Sequence, residues 1–524
     1  MKTSLSSTCS STIITTSPQK AYNNNNENYS YYHIAISILQ YASPSGPEGY
    51  SEYPQFSDRL NRMPRIFAII IVSISLAGIG GCKTSPLRNP GDAGAAIPTT
   101  WTADKEAPQS APKNWVETFG DPNLSALVNS ALADNYQLKT VAARVKAAVA
   151  QAHIDGASRW PQLFFAPGYQ YAQIREAGFG SARFSVFEAL FSLSWELDVW
   201  GRISDFQQAA IREANATAAD FQGARLSLAA RVAQSYFELA EARLQAAVAE
   251  RSVKDRSVIV DLVRGRFARG LTKALDVRLA LTDLTNAEAE LTQARNQVQI
   301  IARRLQVLLG RYPEAVLTAT AELPELPPDM PAGLPSELLE RRPDLVAAYD
   351  RLLAADSRLQ STRKLLLPRV ALTAAGGMRS QALTELVDPR ALAWNVLIGL
   401  AQPVFTGGRI RGQIEFDKAQ TEQALNLYKD TALNAFREVE QTLAADEWLR
   451  KEEKALKNAV EQTEASRKLA IYSYQHGYIE ILTLLDSYRS TLTAQSAHLS
   501  VRRQLLSNRI NLYLALGGSI CEAC

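Results

Sequence analysis

Two stretches of this chain, Leu124 to Gly310 and Leu338 to Gly517, run through the same succession of signals at one fixed spacing. Pro161 and Pro368 lie 368 − 161 = 207 residues apart. The same 207 separates Leu138 from Leu345, Arg144 from Arg351, Gly201 from Gly408, Arg202 from Arg409, Ile203 from Ile410, Gly270 from Gly477 and Gly310 from Gly517. Matches among Ala and Leu are cheap in helical sequence. Matches at Pro and Gly are not, because these residues mark breaks in structure. The register therefore indicates an internal duplication, and each copy should build one supersecondary unit.

Each copy reads as helix, two strands, a very long helix, a glycine turn and a returning helix. The first helix is expected from about Pro122 to Ser158, opened by Asp121 as cap and Pro122 at the first helical position. Between Pro161 and Gly201 the period changes to two: Phe191, Leu193, Trp195 and Leu197 alternate with Ser192, Ser194, Glu196 and Asp198. Copy two does the same, at Val370, Leu372 and Ala374 and again at Trp394, Val396, Ile398 and Leu400. Strands of about ten residues with aromatics near their ends suit a membrane-spanning β-barrel. Trp160, Trp195, Trp200 and Trp394 fit interfacial positions. Four strands cannot close a barrel, so closure requires several chains.

Helix then runs without a proline from Gly201-Arg202 to about Ala268, and in copy two from Ile410 to about Gln475. At 1.5 Å per residue that is roughly 100 Å, far beyond an ordinary helix. Ala210, Ala214, Ala218, Ala229, Ala233 and Ala240 allow close approach of neighbours, and Phe206, Ile211, Phe221, Leu228, Val232, Tyr236 and Leu239 supply an apolar seam. Gly270 and Gly477 are the hairpin-turn glycines, followed by returning helices over about Leu275–Leu309 and Leu482–Leu516. His476 reads as a solvated turn residue.

The ends of the chain carry different information. Residues 1–62 hold an asparagine run and much Ser, Thr and Tyr, and do not read as a packed core. Residues 63–81 read as a secretory signal: Met63-Pro64-Arg65, the apolar run Ile66–Ile79, then Gly80-Gly81 before Cys82. The apolar run is short for a bilayer span. Ile79-Gly80-Gly81-Cys82 resembles a bacterial lipobox, which implies a diacylglycerol on the Cys82 thiol and an acyl chain on its amine. Three acyl chains would anchor the protein firmly. Lys83, where inner-membrane lipoproteins carry Asp, implies the outer membrane of a Gram-negative bacterium. Residues 82–114 read as a lipid-anchored tether, 115–311 as repeat one, 312–334 as a Pro-rich linker, 335–518 as repeat two and 519–524 as a tail.

Composition removes other classes. A net charge of +3 over 524 residues leaves no electrostatic footprint for nucleic acid. With four His and four Cys there is no metal cluster to start from, and Cys521-x-x-Cys524 alone does not complete a zinc site. No phosphate loop or nucleophile elbow stands in context, so an enzyme is not expected, and no cofactor beyond the acyl chains.

The segment Leu334-Pro-Ser-Glu-Leu-Leu-Glu-Arg-Arg-Pro-Asp-Leu345 resembles the hallmark of outer-membrane efflux lipoproteins of the NodT and OprM type, which are TolC-like channels. Phe119-Gly-Asp-Pro122, Trp195-Glu-Leu-Asp-Val-Trp-Gly-Arg202, Gln402-Pro-Val-Phe405 with Gly407-Gly408-Arg409, and Gly310 support it. The resemblance covers about Trp115 to Gly518. It implies a mainly α fold with a membrane β-barrel: a homotrimer whose twelve strands close one barrel above a long α-helical periplasmic tunnel. It also implies substrate received from an inner-membrane pump of the resistance-nodulation-division type through a periplasmic adaptor. In such channels an acidic residue six after the copy-two glycine and an Asp nine after it narrow the periplasmic aperture. Here Asp486 matches the second position and Thr483 departs at the first, which weakens the expected cation ring. Two other readings remain open: a related duct for secreted proteins, and a non-channel periplasmic structural lipoprotein, which the alternating segments oppose.

Overall fold

The computed structural model describes residues 101–102, 114–176, 180–316, 322–327 and 335–518. All of these belong to one of the chain's two units, Gly80–Cys524. Residues 1–62, the signal over 63–81, Cys82 and the Cys521/Cys524 pair lie outside the described residues.

Copy one comprises α1 (Pro122–Asp134), α2 (Tyr136–Ala157), β1 (Gln162–Glu176), β2 (Gly180–Leu197), α3 (Arg202–Ala268) and α4 (Ala274–Leu308). Copy two comprises α5 (Pro335–Arg341), α6 (Pro343–Arg363), β3 (Arg369–Ser380), β4 (Leu392–Ala401), α7 (Arg409–Gln475) and α8 (Ile481–Ala515). The bounds of α3 and α7, 67 residues each, and of α4 and α8, 35 each, differ by 207 at every end.

The sequence reading misses one break. The expected single helix from Pro122 to Ser158 is two helices, divided at Asn135. Asn135 is extended (φ −63°, ψ 123°) and its carboxamide oxygen accepts from the Leu138 amide at 3.0 Å, capping α2. Its amide group reaches the last carbonyl of α4, Leu308, at 2.9 Å. In copy two the same place is Arg342, whose Nη1 donates to the Ala515 carbonyl at 3.1 Å. Both ends of this contact shift by 207 (342 − 135 and 515 − 308), so the contact is kept while its chemistry changes. Arg342 also pairs with Asp344 at 2.6 Å and Glu438 at 2.8 Å. Burial alone would lower its pKa; the hydrogen bonds and charges of Asp344 and Glu438 outweigh burial and raise it.

The strands form one antiparallel sheet in the order β1-β2-β3-β4. The pairing sums to 356 in the first hairpin (Gln162 with Ser194) and 770 in the second (Arg369 with Ala401), and 770 − 356 = 414, twice 207. The two hairpins are thus in identical register. β1 and β2, at 15 and 18 residues, exceed the expected ten because Pro167 and Gly168, which look like breakers, sit inside an edge strand. One face aligns Phe165, Phe191, Gly376 and Trp394 in a row, then Leu163, Leu193, Ala374 and Val396. Phe165–Phe191 and Tyr169–Phe187 stack at 4.9 and 4.5 Å between centroids. The opposite face carries Ser192, Ser194, Thr373 and Asn395 and one cross-strand ion pair, Arg379–Glu188 at 2.9 Å. Among the described residues no helix is long and apolar enough to cross a membrane.

Sheet and helices join through paired tethers. Trp195 Nε1 donates to the Arg159 carbonyl at 2.9 Å, and its equivalent Gln402 donates to the Leu366 carbonyl at 2.9 Å. Trp200 donates to the Pro368 carbonyl at 2.7 Å, linking the copies. Two of the tryptophans expected at the interface, Trp195 and Trp200, are therefore hydrogen-bonded to backbone, and Trp160, Trp200 and Trp394 are exposed. The main core lies midway along α3 and at the ends of α4 and α8, where Trp115, Phe119, Tyr236, Phe237 and Tyr513 pack together. The linker's Leu323 is buried in this cluster, while Tyr312 and Val316 are exposed.

α4 and α8 end at Gly310 and Gly517, with φ of 70° and 67°. A Cβ at Gly310 would lie 2.6 Å from the Asp134 carbonyl oxygen, and one at Gly517 3.0 Å from that of Arg341, again a 207 pair. Gly310→Ala should lower stability by on the order of 2 kcal/mol, from strain at positive φ plus the collision. The thermal midpoint of the helical circular-dichroism signal reads this; an unchanged midpoint would show that the α1 end yields freely.

Candidate functional site: the helical hairpin tips

The tips are where α3 turns into α4 and α7 into α8. Both turns use one device. Gly270 (φ 73°) donates to the Phe267 carbonyl at 2.9 Å and Leu271 to that of Arg266 at 2.9 Å. Gly477 (φ 80°) donates to Tyr474 at 3.1 Å and Tyr478 to Ser473 at 2.9 Å. These paired bonds satisfy carbonyls that the helix end leaves orphaned, and the left-handed residue between them suits only glycine without strain.

The copies diverge just after the turn. Six residues past Gly270 stands Asp276, whose carboxylate accepts from the Lys273 amide at 3.1 Å and from the Thr272 hydroxyl, capping α4. Its equivalent (276 + 207) is Thr483, and the copy-one equivalent of Asp486 is Leu279. Of these four positions only Asp486 carries a largely exposed carboxylate, its side chain being 77% exposed. Its nearest cation is Arg489, 3.9 Å away and itself exposed, a pair of small energetic weight. Thr483 and Asp486 line one crevice of about 510 Å³ with Arg489 and with Thr282, Asp283 and Asn286 of α4.

Two cations tie the two hairpins together beside this crevice, and a third ties α3 to α4 within the copy-one hairpin. Arg266 Nη1 donates to the Tyr474 and Gln475 carbonyls at 2.9 and 3.0 Å, and its guanidinium lies 5.0 Å from the Tyr474 ring. A cation there also meets the negative end of the α7 dipole. Arg467 pairs with Asp255 at 2.5 Å and covers the Tyr488 ring at 5.3 Å. Arg256 pairs with Asp283 at 2.6 Å, both largely buried, so the Asp283 charge is neutralised before it reaches the crevice. Ile259, Val263, Tyr474, Ile481 and Leu484 pack between these pairs. His476 Nδ1 lies 2.8 Å from the Tyr472 carbonyl, and its ring sits between those of Tyr472 and Tyr478. Sequence reasoning missed Arg266 and Asp283. Their copy-two equivalents are Ser473 and Ser490, so the repeat gives no signal for either.

Among the described residues no group of three or more His, Cys, Asp or Glu is placed to hold a metal. The arrangement offers a polar crevice, a helical conduit and a sheet with one apolar face, and these define a TolC-like outer-membrane channel. The chain belongs to the outer membrane efflux protein family, whose model matches residues 127–311 and 334–518. The two matches are themselves offset by 334 − 127 = 207. The chain is 32% identical to outer membrane protein OprJ of Pseudomonas aeruginosa over 86% of its own length and 96% of the relative's. It is 30% identical to the pyoverdine export outer membrane protein OpmQ of Pseudomonas putida, covering 87% and 98%. The solved outer-membrane channel OprN matches with a TM-score of 0.77 at 26% identity, covering 84% of this chain and 100% of that one. The protein is thus an efflux duct of the outer membrane, and its family is one of transport.

Arg266→Ala should release the copy-two tip and speed amide hydrogen exchange over 472–480 at least tenfold relative to wild type; unchanged exchange would show that apolar packing alone holds it. Burial pushes the Tyr474 and Tyr488 phenols up. The folded chain therefore keeps protons that the unfolded chain loses near pH 10, so their stabilisation is complete below about pH 10 and lost as pH rises through the shifted values. In absorbance titration at 295 nm, the phenolate signal lost on Tyr474→Phe or Tyr488→Phe should be the part that rises above the ordinary tyrosine range.

Proposed function

We propose that the protein is the outer-membrane duct of a tripartite efflux system: a homotrimer that exports small molecules received from an inner-membrane transporter of the resistance-nodulation-division type through a periplasmic adaptor. The observation that carries this is the open sheet. β1 and β4 are left as edges, and unpaired backbone is not tolerated in hydrocarbon. Three chains give twelve strands, enough to enclose an aqueous bore. The face bearing Phe165, Phe191 and Trp394 meets lipid, and the face bearing Ser192, Thr373 and Asn395 lines the bore.

Three parts follow from this reading. Cys82 carries the diacylglycerol and N-acyl chain that hold the N-terminus at the outer-membrane lipid. The adaptor docks at the hairpin tips, where Leu271 and Leu275 of copy one and their equivalents Tyr478 and Leu482 are all exposed. The aperture is set by the three copies of Asp486, with Thr483 nearer the tip, on the threefold axis. A carboxylate ring at a constriction favours cations, and with threonine in place of a second acid the preference is modest.

Single-channel recording in a planar bilayer tests the duct and the aperture together. Wild type should give small, cation-preferring openings, and Asp486→Ala should conduct more and lose the preference. Conductance unaltered by the substitution would move the aperture elsewhere, and a trimer that never conducts would remove the duct.

A further inference from the structure

The aromatic face of the sheet changes character at one height. Along β2 this face carries Trp195, Leu193, Phe191, Ala189 and Phe187, and then Ser185, Arg183 and Ser181. From Trp195 to Ser185 is 195 − 185 = 10 residues. At about 3.3 Å per residue and a strand tilt of about 40°, that rises about 25 Å, the height of the apolar band of a membrane barrel. Tyr171, opposite Ser185, closes the band on β1, and Tyr169 stacks on Phe187 just beneath it at 4.5 Å. The next row pairs Gln173 with Arg183. On the barrel reading above, Arg183 is thus the first charge of this face beyond the hydrocarbon, at the depth of lipid head groups. Only the first hairpin reaches this height as strand: the last β2–β3 pair is Phe187 with Ser380, and β2 extends 187 − 180 = 7 residues past it.

The two copies treat the charge at this position differently. The equivalent of Arg183 (183 + 207) is Arg390, whose guanidinium is held by both oxygens of Asp388, at 3.1 and 2.6 Å. The equivalent of Asp388 (388 − 207) is Ser181. Among the described residues no carboxylate pairs with Arg183. Its Nε donates to the neutral Gln173 carboxamide oxygen at 3.3 Å, which steadies the side chain and leaves its two terminal nitrogens for another acceptor. Gln173, Ser181 and Arg183 are all exposed. The carboxylate of Glu188 belongs to the opposite face, where Arg379 holds it at 2.9 Å.

We infer that Arg183, with Gln173 and Ser181, binds a phosphate of the glycolipid that forms the outer leaflet of the outer membrane, with the lipid's acyl chains lying over Tyr171, Tyr169 and Phe187. The inference rests on the barrel reading and adds a ligand site on the barrel's outer wall. Chemistry selects the occupant. Three exposed donors without an acid among them attract an anion, and the guanidinium fork matches two phosphate oxygens. The aromatic rings directly below ask for an apolar tail, which a free phosphate lacks. A phosphate monoester, as on the glycolipid, carries about two negative charges at neutral pH, where the phosphodiester of an ordinary phospholipid carries one.

The test is native mass spectrometry of the full-length, lipidated protein in detergent, titrated with bisphosphorylated lipid A and read at the mass of the trimer. Wild type should bind saturably, one lipid per chain, and Arg183→Ala should weaken binding about tenfold or more. Ser181→Asp keeps the arginine but supplies the counter-charge that copy two has in Asp388, and should weaken binding as much. Arg390→Ala should bind as wild type does. Affinity unaltered by both Arg183→Ala and Ser181→Asp would overturn the site. Equal affinity for lipid A stripped of its phosphates would overturn the phosphate contact, and equal affinity for phosphatidylglycerol would overturn the choice of the glycolipid. Masses of single chains with no trimer would instead remove the barrel reading, and the site with it.

Discussion

A peptide group in hydrocarbon has no water to bond, so every N–H and C=O of a membrane-crossing strand must find a partner in protein. The rest of this structure depends on that demand. Four strands in the order β1-β2-β3-β4 satisfy each other on the inside and leave two edges that a single chain cannot close. The helices have the same shortage. α7 is as long as α3 yet buries far less, because among the described residues fewer elements pack on it. The two sheet edges call for one further copy on each side.

Duplication is the economical way to build such an object, and this chain shows how far two copies can drift while keeping it. The ends of the long and the returning helices, the hairpin registers and the closing contacts are preserved to the residue. The side chains making those contacts are not. Asn135 and Arg342 each hold the last carbonyl of a returning helix, one with an amide and one with a guanidinium. Trp195 and Gln402 each tie a strand end to the preceding helix through an N–H donor. What the two copies share in these places is an N–H donor at a fixed position, supplied by different residue types.

That pattern explains what could be read from the sequence. The offset of 207, the period-two segments and the proline-free helices fixed the order of elements because backbone geometry writes directly into Pro, Gly and apolar spacing. The break at Asn135 was hidden because a polar residue inside an amphipathic run looks like a solvent-facing position, and its carbonyl partner Leu308 is far away in sequence. The full length of β1 was hidden by Pro167, which an edge strand tolerates and a central one does not. At the tips, Gly270, Gly477, Thr483 and Asp486 were legible by position. Arg266 and Asp283 were not: Arg266 joins the two hairpins and Asp283 pairs with Arg256 inside the copy-one hairpin, and neither residue has a charged equivalent in copy two.

The equal span of α3 and α7 has a mechanical consequence. In a trimer the two helices alternate around the tube, and their lower ends form one rim of six points only because each descends by 67 residues. A deletion of one residue from α7 alone would raise every second point by about 1.5 Å and turn its hairpin by about 100° about the helix axis. The rim would become a crown, presenting a partner with two alternating heights and orientations. Length changes in this protein are therefore tolerable only in matched pairs, one in each copy, and a surviving variant with an altered tube should carry the same number of residues gained or lost at positions 207 apart.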